Sequence, residues 1–509
     1  MPQPRPMAAR RPHIRPLAGR DVVAAALLGA VQTLAFVHTA AWPLPLAAMA
    51  ALAWRAGRAT PGAAAVLGWV FGGAWLGAGV WWLYISMHRY GGLSAPLAAA
   101  AVAALSLALS LYLAAALALY ARWRSGRARV DVPMFAALWL AAELARGLLF
   151  TGFPWVASGY AQGDGPLAVL APWLGVYGIG AVAAALAAGL AGGLRPALAA
   201  LAMLAALSMA EPVRFTQPAG SLRVSLLQTN VSQDEKFSLE ALPAALEWVA
   251  QTMSSADADL VLAPETAVPL LPGQLDDFSP GYWDALRSHF QQPGRAALLG
   301  VPLGDFDRGY TNSVVGLSAG PAYRYDKHHL VPFGEFIPSG FRWFTELLNI
   351  PLGDFSRGAV VQPSFAVAGQ RVAPNICYED LFGEELAGRF ADAATAPTMM
   401  ANVSNIGWFG PTEAVAQHLQ ISRMRSLEFQ RPMLRATNTG ATAVIDHEGR
   451  VTAELPPDVR GVLVAQAQGR EGLTPYARWA SRMGLWPLWG LVLLGLWPAW
   501  GAHRRVAGP

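Results

Sequence analysis

The apolar residues of this chain are gathered in one part of it. From residue 22 to about 210 it is built mostly from Ala, Leu, Val, Gly and Trp. Residues 211 to 480 carry Asp, Glu, Gln, Asn and Pro throughout, and one more apolar run follows near the C-terminus. Of the 509 residues 54% are hydrophobic and only 14% charged, and the mean hydropathy is +0.34, above what a soluble chain of this length carries. The pattern predicts an integral membrane protein with one large polar domain.

A bilayer core takes about 20 apolar residues per helix. Candidate spans fall at roughly 62–86, 93–121, 133–150, 166–191, 196–211 and 484–502, with two shorter ones at Val22 to Val37 and Trp42 to Trp54. Orientation follows from Lys and Arg in short loops. Arg5, Arg10, Arg11, Arg15 and Arg20 precede the first span, and Arg55 and Arg58 follow the second. Arg122, Arg124, Arg127 and Arg129 follow the fourth, Arg195 the sixth, and Arg504 and Arg505 close the chain. The alternate loops hold little beyond His38 and Arg89. This predicts about eight spans with both termini cytoplasmic. A basic N-terminus occupies 1–21, a seven-span domain 22–211, an extracytoplasmic polar domain 221–468, a final span 484–502 and a tail 503–509. The basic start and first apolar stretch read as a membrane span and not a cleaved signal, because further spans follow. The sequence pI of 9.3 is accounted for by membrane flanks, and no basic-aromatic stripe points to nucleic acid.

In the polar domain short apolar runs alternate with stretches of helical length. The runs are Arg223 to Gln228, Leu260 to Ala263, Ala296 to Val301, Val314 to Leu317, Val372 to Cys377, Thr398 to Ala401 and Ala443 to Ile445. The helical stretches include Leu239 to Met253, Pro280 to Phe290 and Glu413 to Phe429. That alternation predicts a layered α/β domain, with Pro212 to Gly220 and Gly469 to Pro475 as linkers. Chemistry in such folds collects at the carboxyl ends of strands. Glu265 ends one apolar run, Lys327 follows Tyr323-Arg324-Tyr325-Asp326, and Cys377 ends a third. Cys377 is the single cysteine, so intramolecular disulfides and multi-thiolate metal sites are excluded and its uses reduce to core filler or nucleophile. An acid, an ammonium and a thiol at three strand ends outline a Cys-Glu-Lys site.

The words around these residues carry a resemblance. Lys327-His328-His329-Leu330-Val331-Pro332-Phe333-Gly334-Glu335-Phe336-Ile337-Pro338, Pro264-Glu265, Cys377-Tyr378-Glu379-Asp380 and the run from Asn402 through Ser404 and Asn405 to Gly410 resemble the nitrilase (carbon-nitrogen hydrolase) superfamily. So do Gln228-Thr229-Asn230, Gln417-His418-Leu419-Gln420 and the run from Arg435 to Gly440. Thr151-Gly152-Phe153-Pro154-Trp155 and Gly175-Val176-Tyr177-Gly178 are similar to the apolipoprotein N-acyltransferase branch and not to soluble nitrilases. The likeness spans nearly the whole chain from about residue 22. After Gln233 and Lys236 that branch commonly places Trp, where this chain has Phe237.

The resemblance implies a polytopic helical membrane domain joined to a nitrilase-like αββα sandwich, in the inner membrane of a bacterium with the sandwich periplasmic. It implies acyl transfer from a membrane phospholipid, typically phosphatidylethanolamine, through a thioester on Cys377. The acceptor is the α-amine of the diacylglyceryl cysteine at the N-terminus of an apolipoprotein, in the last step of lipoprotein maturation. Glu265 is the implied base, Lys327 the oxyanion ammonium, and Glu335, Tyr378 and Glu379 are implied supports. No metal or diffusible cofactor is required, and a monomer is expected. Phe333, Phe336, Phe341, Trp343 and Phe344, with Phe237, are candidates for an apolar gate or for core packing. Two rivals stay open. One is a tethered hydrolase with water as acceptor. The other is a transporter or receptor, which needs ionisable residues within the spans, where Glu143 and Arg146 stand and read as a mutual pair.

Overall fold

The computed structural model describes residues 14–236, 238–338 and 354–504. It forms two compact units: one of residues up to Trp81, Ala99–Pro212 and Leu485 onward, the other of Trp82–Ala98 and Val213–Gly484.

Helical segments stand at each of the eight expected span positions, but they differ in length. Gly19–Phe36, Pro61–Gly79, Ala95–Trp123, Ala128–Thr151 and Pro166–Ala191 are long and apolar enough to cross a membrane, five in all among the described residues. Pro43–Ala56, Leu194–Ser208 and Trp486–Ala499 are shorter. The span expected over 62–86 stops at Gly79, because Trp82–Ala98 folds with the second unit. Small residues let the first unit close up. A Cβ at Gly68 or Gly72 would meet Leu113 O or Ser110 Cβ at 2.8 Å, the backbone approach that glycine permits between apolar helices. The buried pair Glu143 and Arg146 stand 3.7 Å apart, yet both are engaged mainly with one loop. Glu143 accepts from Ser158 N and Oγ at 2.7 and 2.9 Å, and Arg146 Nη1 donates to Phe153 O and Trp155 O at 3.0 and 2.7 Å. They hold a loop with left-handed residues at Phe150, Thr151, Gly152 and Val156.

The second unit contains twelve described strands: β1 Thr216–Gln228, β2 Leu260–Leu262, β3 Ala296–Asp305, β4 Gly309–Ser318, β5 Tyr323–Asp326, β6 Phe365–Val367, β7 Gln370–Ile376, β8 Met399–Ser404, β9 Met433–Thr437, β10 Ala443–Ile445, β11 Val451–Glu454 and β12 Gly461–Gly472. They form two six-stranded sheets, ordered β12-β1-β2-β3-β4-β5 and β11-β10-β9-β8-β7-β6. Strand alternation builds the layers. Val224, Leu226, Leu262 and Leu298 face Ile376, Met399, Ala401 and Leu434 between the sheets. Leu227, Val261 and Leu299 turn outward against the helices Leu242–Ser255 and Tyr282–Phe290. Met400, Met433 and Ile445 pack on Leu419, Phe429 and Tyr476 on the other side. The result is a helix-sheet-sheet-helix sandwich. The stretches read as linkers are corrected: β1 pairs antiparallel with β12 from Thr216 opposite Gly472, so both ends of the domain are zipped into one edge. Pro218 and Gly220 misled the reading, because a proline and a glycine can be absorbed where the register shifts between Pro218 and Ser221.

Candidate active site

Strands β1, β2 and β3 run parallel, as do β7, β8 and β9, so the carboxyl ends within each set point one way. From those ends the chain supplies Thr229, Glu265, Cys377, Asn405 and Asn438, and hydrogen bonds join the two sets. Asn405 N donates to Glu265 Oε2 at 2.8 Å. Asn438 Oδ1 accepts from Thr229 Oγ1 and Val231 N at 2.7 and 2.9 Å.

Lys327 follows the edge strand β5 and is 1% exposed. Its Nζ donates to Glu265 Oε1 at 3.2 Å and to Glu335 Oε1 at 2.8 Å. Burial works against its charge, but the two carboxylates prevail and hold its pKa above the ordinary lysine value. Glu335 sits on a tight turn tied by Gly334 N and Glu335 N to Val331 O, and its Oε2 accepts from Val331 N at 2.8 Å. Asn312 on β4 bridges the carboxylates, donating from Nδ2 to Glu265 at 2.6 Å and to Glu335 at 2.9 Å.

Cys377 closes β7 with φ at 52°, a left-handed turn that side chains adopt only at a cost, and it opens a short helical turn, Cys377–Leu381. Burial raises its thiol pKa well above the ordinary value. The Glu265 charge adds to that, Lys327 opposes it, Glu335 adds again and the Asn405 N–H opposes it. The resting sulfur is a neutral thiol. Its main-chain carbonyl accepts from Asn402 Nδ2 and His418 Nε2, each at 3.2 Å. Burial, then the charge of Arg435, keeps His418 far below the usual histidine pKa. Arg435 Nη2 lies 3.2 Å from His418 Nδ1. Because a guanidinium only donates, His418 must carry its proton on Nε2, toward Cys377.

Glu379 joins the thiol's strand to the lysine's. Its Oε2 accepts from Ile376 N and Tyr325 Oη, both at 2.7 Å, and its Oε1 from His328 N at 2.7 Å and His329 N at 3.2 Å. Tyr378 packs beside His329 and Phe382, with centroids 5.7 and 5.3 Å away. Of the gate candidates, Phe333 is exposed with φ at 61°, and Phe336 lies under the Arg357 guanidinium at 4.7 Å. Phe237, Phe341, Trp343 and Phe344 lie outside the described residues. Sequence reasoning missed Asn312, whose signal was the buried polar run Thr311-Asn312-Ser313 inside a strand. His418 and Lys236 stood among the family words without an assigned role; the buried Lys236 donates from Nζ to Glu265 O at 3.2 Å.

Chemically, the arrangement offers a carboxylate to take a thiol proton, an ammonium to meet a developing oxyanion and a rigid frame around both. Two family models divide the chain: the apolipoprotein N-acyltransferase N-terminal domain matches residues 28–189, and carbon-nitrogen hydrolase matches 223–476. An apolipoprotein N-acyltransferase of Verminephrobacter eiseniae is 53% identical over 481 residues, covering 87% of this chain and 89% of the relative. That of Ralstonia nicotianae is 48% identical, covering 89% of each. That of Bordetella bronchiseptica is 43% identical, covering 94% of this chain and 96% of the relative. Over both the membrane helices and the thiol-bearing sandwich, therefore, the chain belongs to the apolipoprotein N-acyltransferase family.

Proposed function

We propose that this acyltransferase moves a fatty acyl group from a membrane phospholipid, with phosphatidylethanolamine as donor, to the α-amine of a diacylglyceryl-cysteine at the N-terminus of an apolipoprotein. Cys377 is the carrier. Glu265 takes the thiol proton as sulfur adds to the ester carbonyl. The Lys327 ammonium, with a backbone N–H, stabilises the oxyanion. The carbon-oxygen bond then breaks, Glu265 returns the proton to the departing lysophospholipid oxygen, and a thioester remains. The acceptor amine attacks that thioester, the carbon-sulfur bond breaks, and the amine's proton passes through Glu265 to restore the thiol and release the amide.

The observation that carries this reading is the Lys327 ammonium shared by Glu265 at 3.2 Å and Glu335 at 2.8 Å, set beside the chain's single thiol on a left-handed turn. Glu335 and Glu379 act as supports that orient Lys327 and the two loops, and Tyr378 packs behind them. Phe333 and Phe336 belong to an apolar gate. The protein works as a monomer in the bacterial inner membrane, with residues 22–211 and 484–502 spanning, the sandwich periplasmic and both termini cytoplasmic. The test is to incubate purified protein with phospholipid and weigh the intact chain. An acyl-sized, hydroxylamine-labile mass on the wild type, absent in Cys377→Ala, is expected. An adduct that persists without the sulfur sinks the mechanism.

A further inference from the structure

Beside the Glu265 turn lies a narrow recess of about 20 Å³, lined among others by Thr229, Lys236, Trp248, Thr266, Asn438 and Arg460. Two of its lining side chains are cations, and no lining residue is a carboxylate. Lys236 is 6% exposed. Among the described residues its Nζ makes one hydrogen bond, to the Glu265 main-chain oxygen, although an ammonium carries three donors. Burial pulls its pKa down to about 8, partly offset by the charges of Glu265 and Cys377, as expected of a cation taken out of water without a paired anion. Arg460 is exposed. Its Nε donates to Thr229 O at 2.9 Å, and its guanidinium lies over the Trp248 ring at 5.4 Å. The Thr229 hydroxyl and the Asn438 amide are committed to Asn438 Oδ1, Val231 O and Asn405 Oδ1, so the recess offers a desolvated ammonium and a stacked guanidinium, two cations that suit a phosphate oxyanion.

We propose that the mouth of this recess binds the phosphate of the acyl-donor phospholipid, with one oxygen directed toward Lys236 within and Arg460 at the exposed side. The inference rests on the acyl-transfer reading above. Lys236 lies within electrostatic range of Cys377, and in a glycerophospholipid the phosphate is only a few bonds from the ester carbonyl that the sulfur must reach. Holding that anion turns headgroup binding into placement of the ester. The contrary reading is that Lys236 only ties its own loop to the Glu265 backbone.

The two readings separate by donor. Full-length protein in detergent is given a diacyl phospholipid or 4-nitrophenyl palmitate, an acyl ester without phosphate, and formation of the Cys377 adduct is followed by intact mass. In Lys236→Met the ratio of kcat/KM for phospholipid over neutral ester is expected to fall about tenfold, carried by KM for the phospholipid, with Arg460→Gln shifting it in the same direction and Lys236→Arg restoring it. In the wild type, inorganic phosphate is expected to compete with the phospholipid and not with the neutral ester. An unmoved ratio in both variants overturns the proposal. Phosphate competition without a change in phospholipid KM assigns the recess to a free anion and also overturns it. If Lys236→Met fails to fold, Arg460→Gln and the phosphate competition still decide. No adduct from either donor in the wild type removes the acyl-transfer reading itself, an outcome distinct from the others.

Discussion

In the proposed mechanism Cys377, its thiol kept neutral by burial and flanking carboxylates, loses its proton as it attacks, so the base is needed in every cycle. The signs of the charges then fix the effect of each substitution on the sulfur. Removing the Glu265 charge favours thiolate, so in Glu265→Gln the pH profile of iodoacetamide alkylation is expected to move to lower pH than in the wild type. Acyl transfer falls by about 10² to 10⁴ in the same variant. In Lys327→Met the alkylation profile is expected to move the other way. A Glu265→Gln protein whose sulfur becomes harder to alkylate contradicts this electrostatic picture. Lys327→Met also leaves Glu265 and Glu335 facing each other without their shared cation, and a loss of about 3–5 kcal/mol in unfolding free energy is expected, measured by chemical denaturation. The three residues of the proposed site stand out in the sequence because each ends a short apolar run at the end of a strand. Asn312 and His418 do not. Asn312 acts from the middle of a strand, and His418 acts through the main chain of Cys377, so neither leaves a mark on spacing.

At the scale of elements, the site depends on how closely strands approach turns. A Cβ on Gly300 in β3 would meet Pro264 O at 2.3 Å, Glu265 Cα at 2.7 Å and Thr266 N at 2.8 Å, all of them backbone that cannot rotate away. Gly300→Ala is therefore expected to push the Glu265 turn aside and cost about 100-fold in acyl transfer. Because the displacement is local, Cys377 should still be alkylated in a folded protein. Wild-type transfer by that variant would show that the turn tolerates the shift. The helices Leu242–Ser255, Tyr282–Phe290 and Glu413–Phe429 were readable from sequence because each is a full-length periodic stretch. The short strands β6 and β11 were not, since three or four residues carry too little alternation to stand out. β12, Gly461–Gly472, was not read at all, and its outer end was taken for a linker because of glycines that a strand edge accommodates.

At the scale of the molecule, the fold constrains the membrane crossings more tightly than hydropathy does. Trp82–Ala98 and Val213–Gly484 belong to one unit, where Trp82 Nε1 donates to Gln417 Oε1 at 3.2 Å, Tyr90 meets Trp408 at 5.6 Å between ring centroids, and Arg89 pairs with Asp234 at 2.6 Å. Both segments must therefore lie on the same side of the bilayer, and the chain between them must cross an even number of times. Three helices in that interval, ending at Trp123, Thr151 and Ala191, are long and apolar enough to cross; with those three as crossings, we propose the short Leu194–Ser208 as the fourth that an even count requires. Its 15 residues reach about 22 Å, against a hydrocarbon core of about 30 Å. Local thinning and its apolar flank, Met209 and Ala210, must make up the difference, and the exposed Leu194, Leu198, Leu201 and Met203 present it to lipid. In a Cys377→Ala background, a membrane-impermeant maleimide is expected to label Ser94→Cys and Asp307→Cys in intact spheroplasts, and Ser125→Cys only after permeabilisation. Labelling of Ser94→Cys and Asp307→Cys from opposite sides would break the parity argument. Labelling of both from the cytoplasmic side would keep the parity but reverse the orientation drawn from the arginine loops.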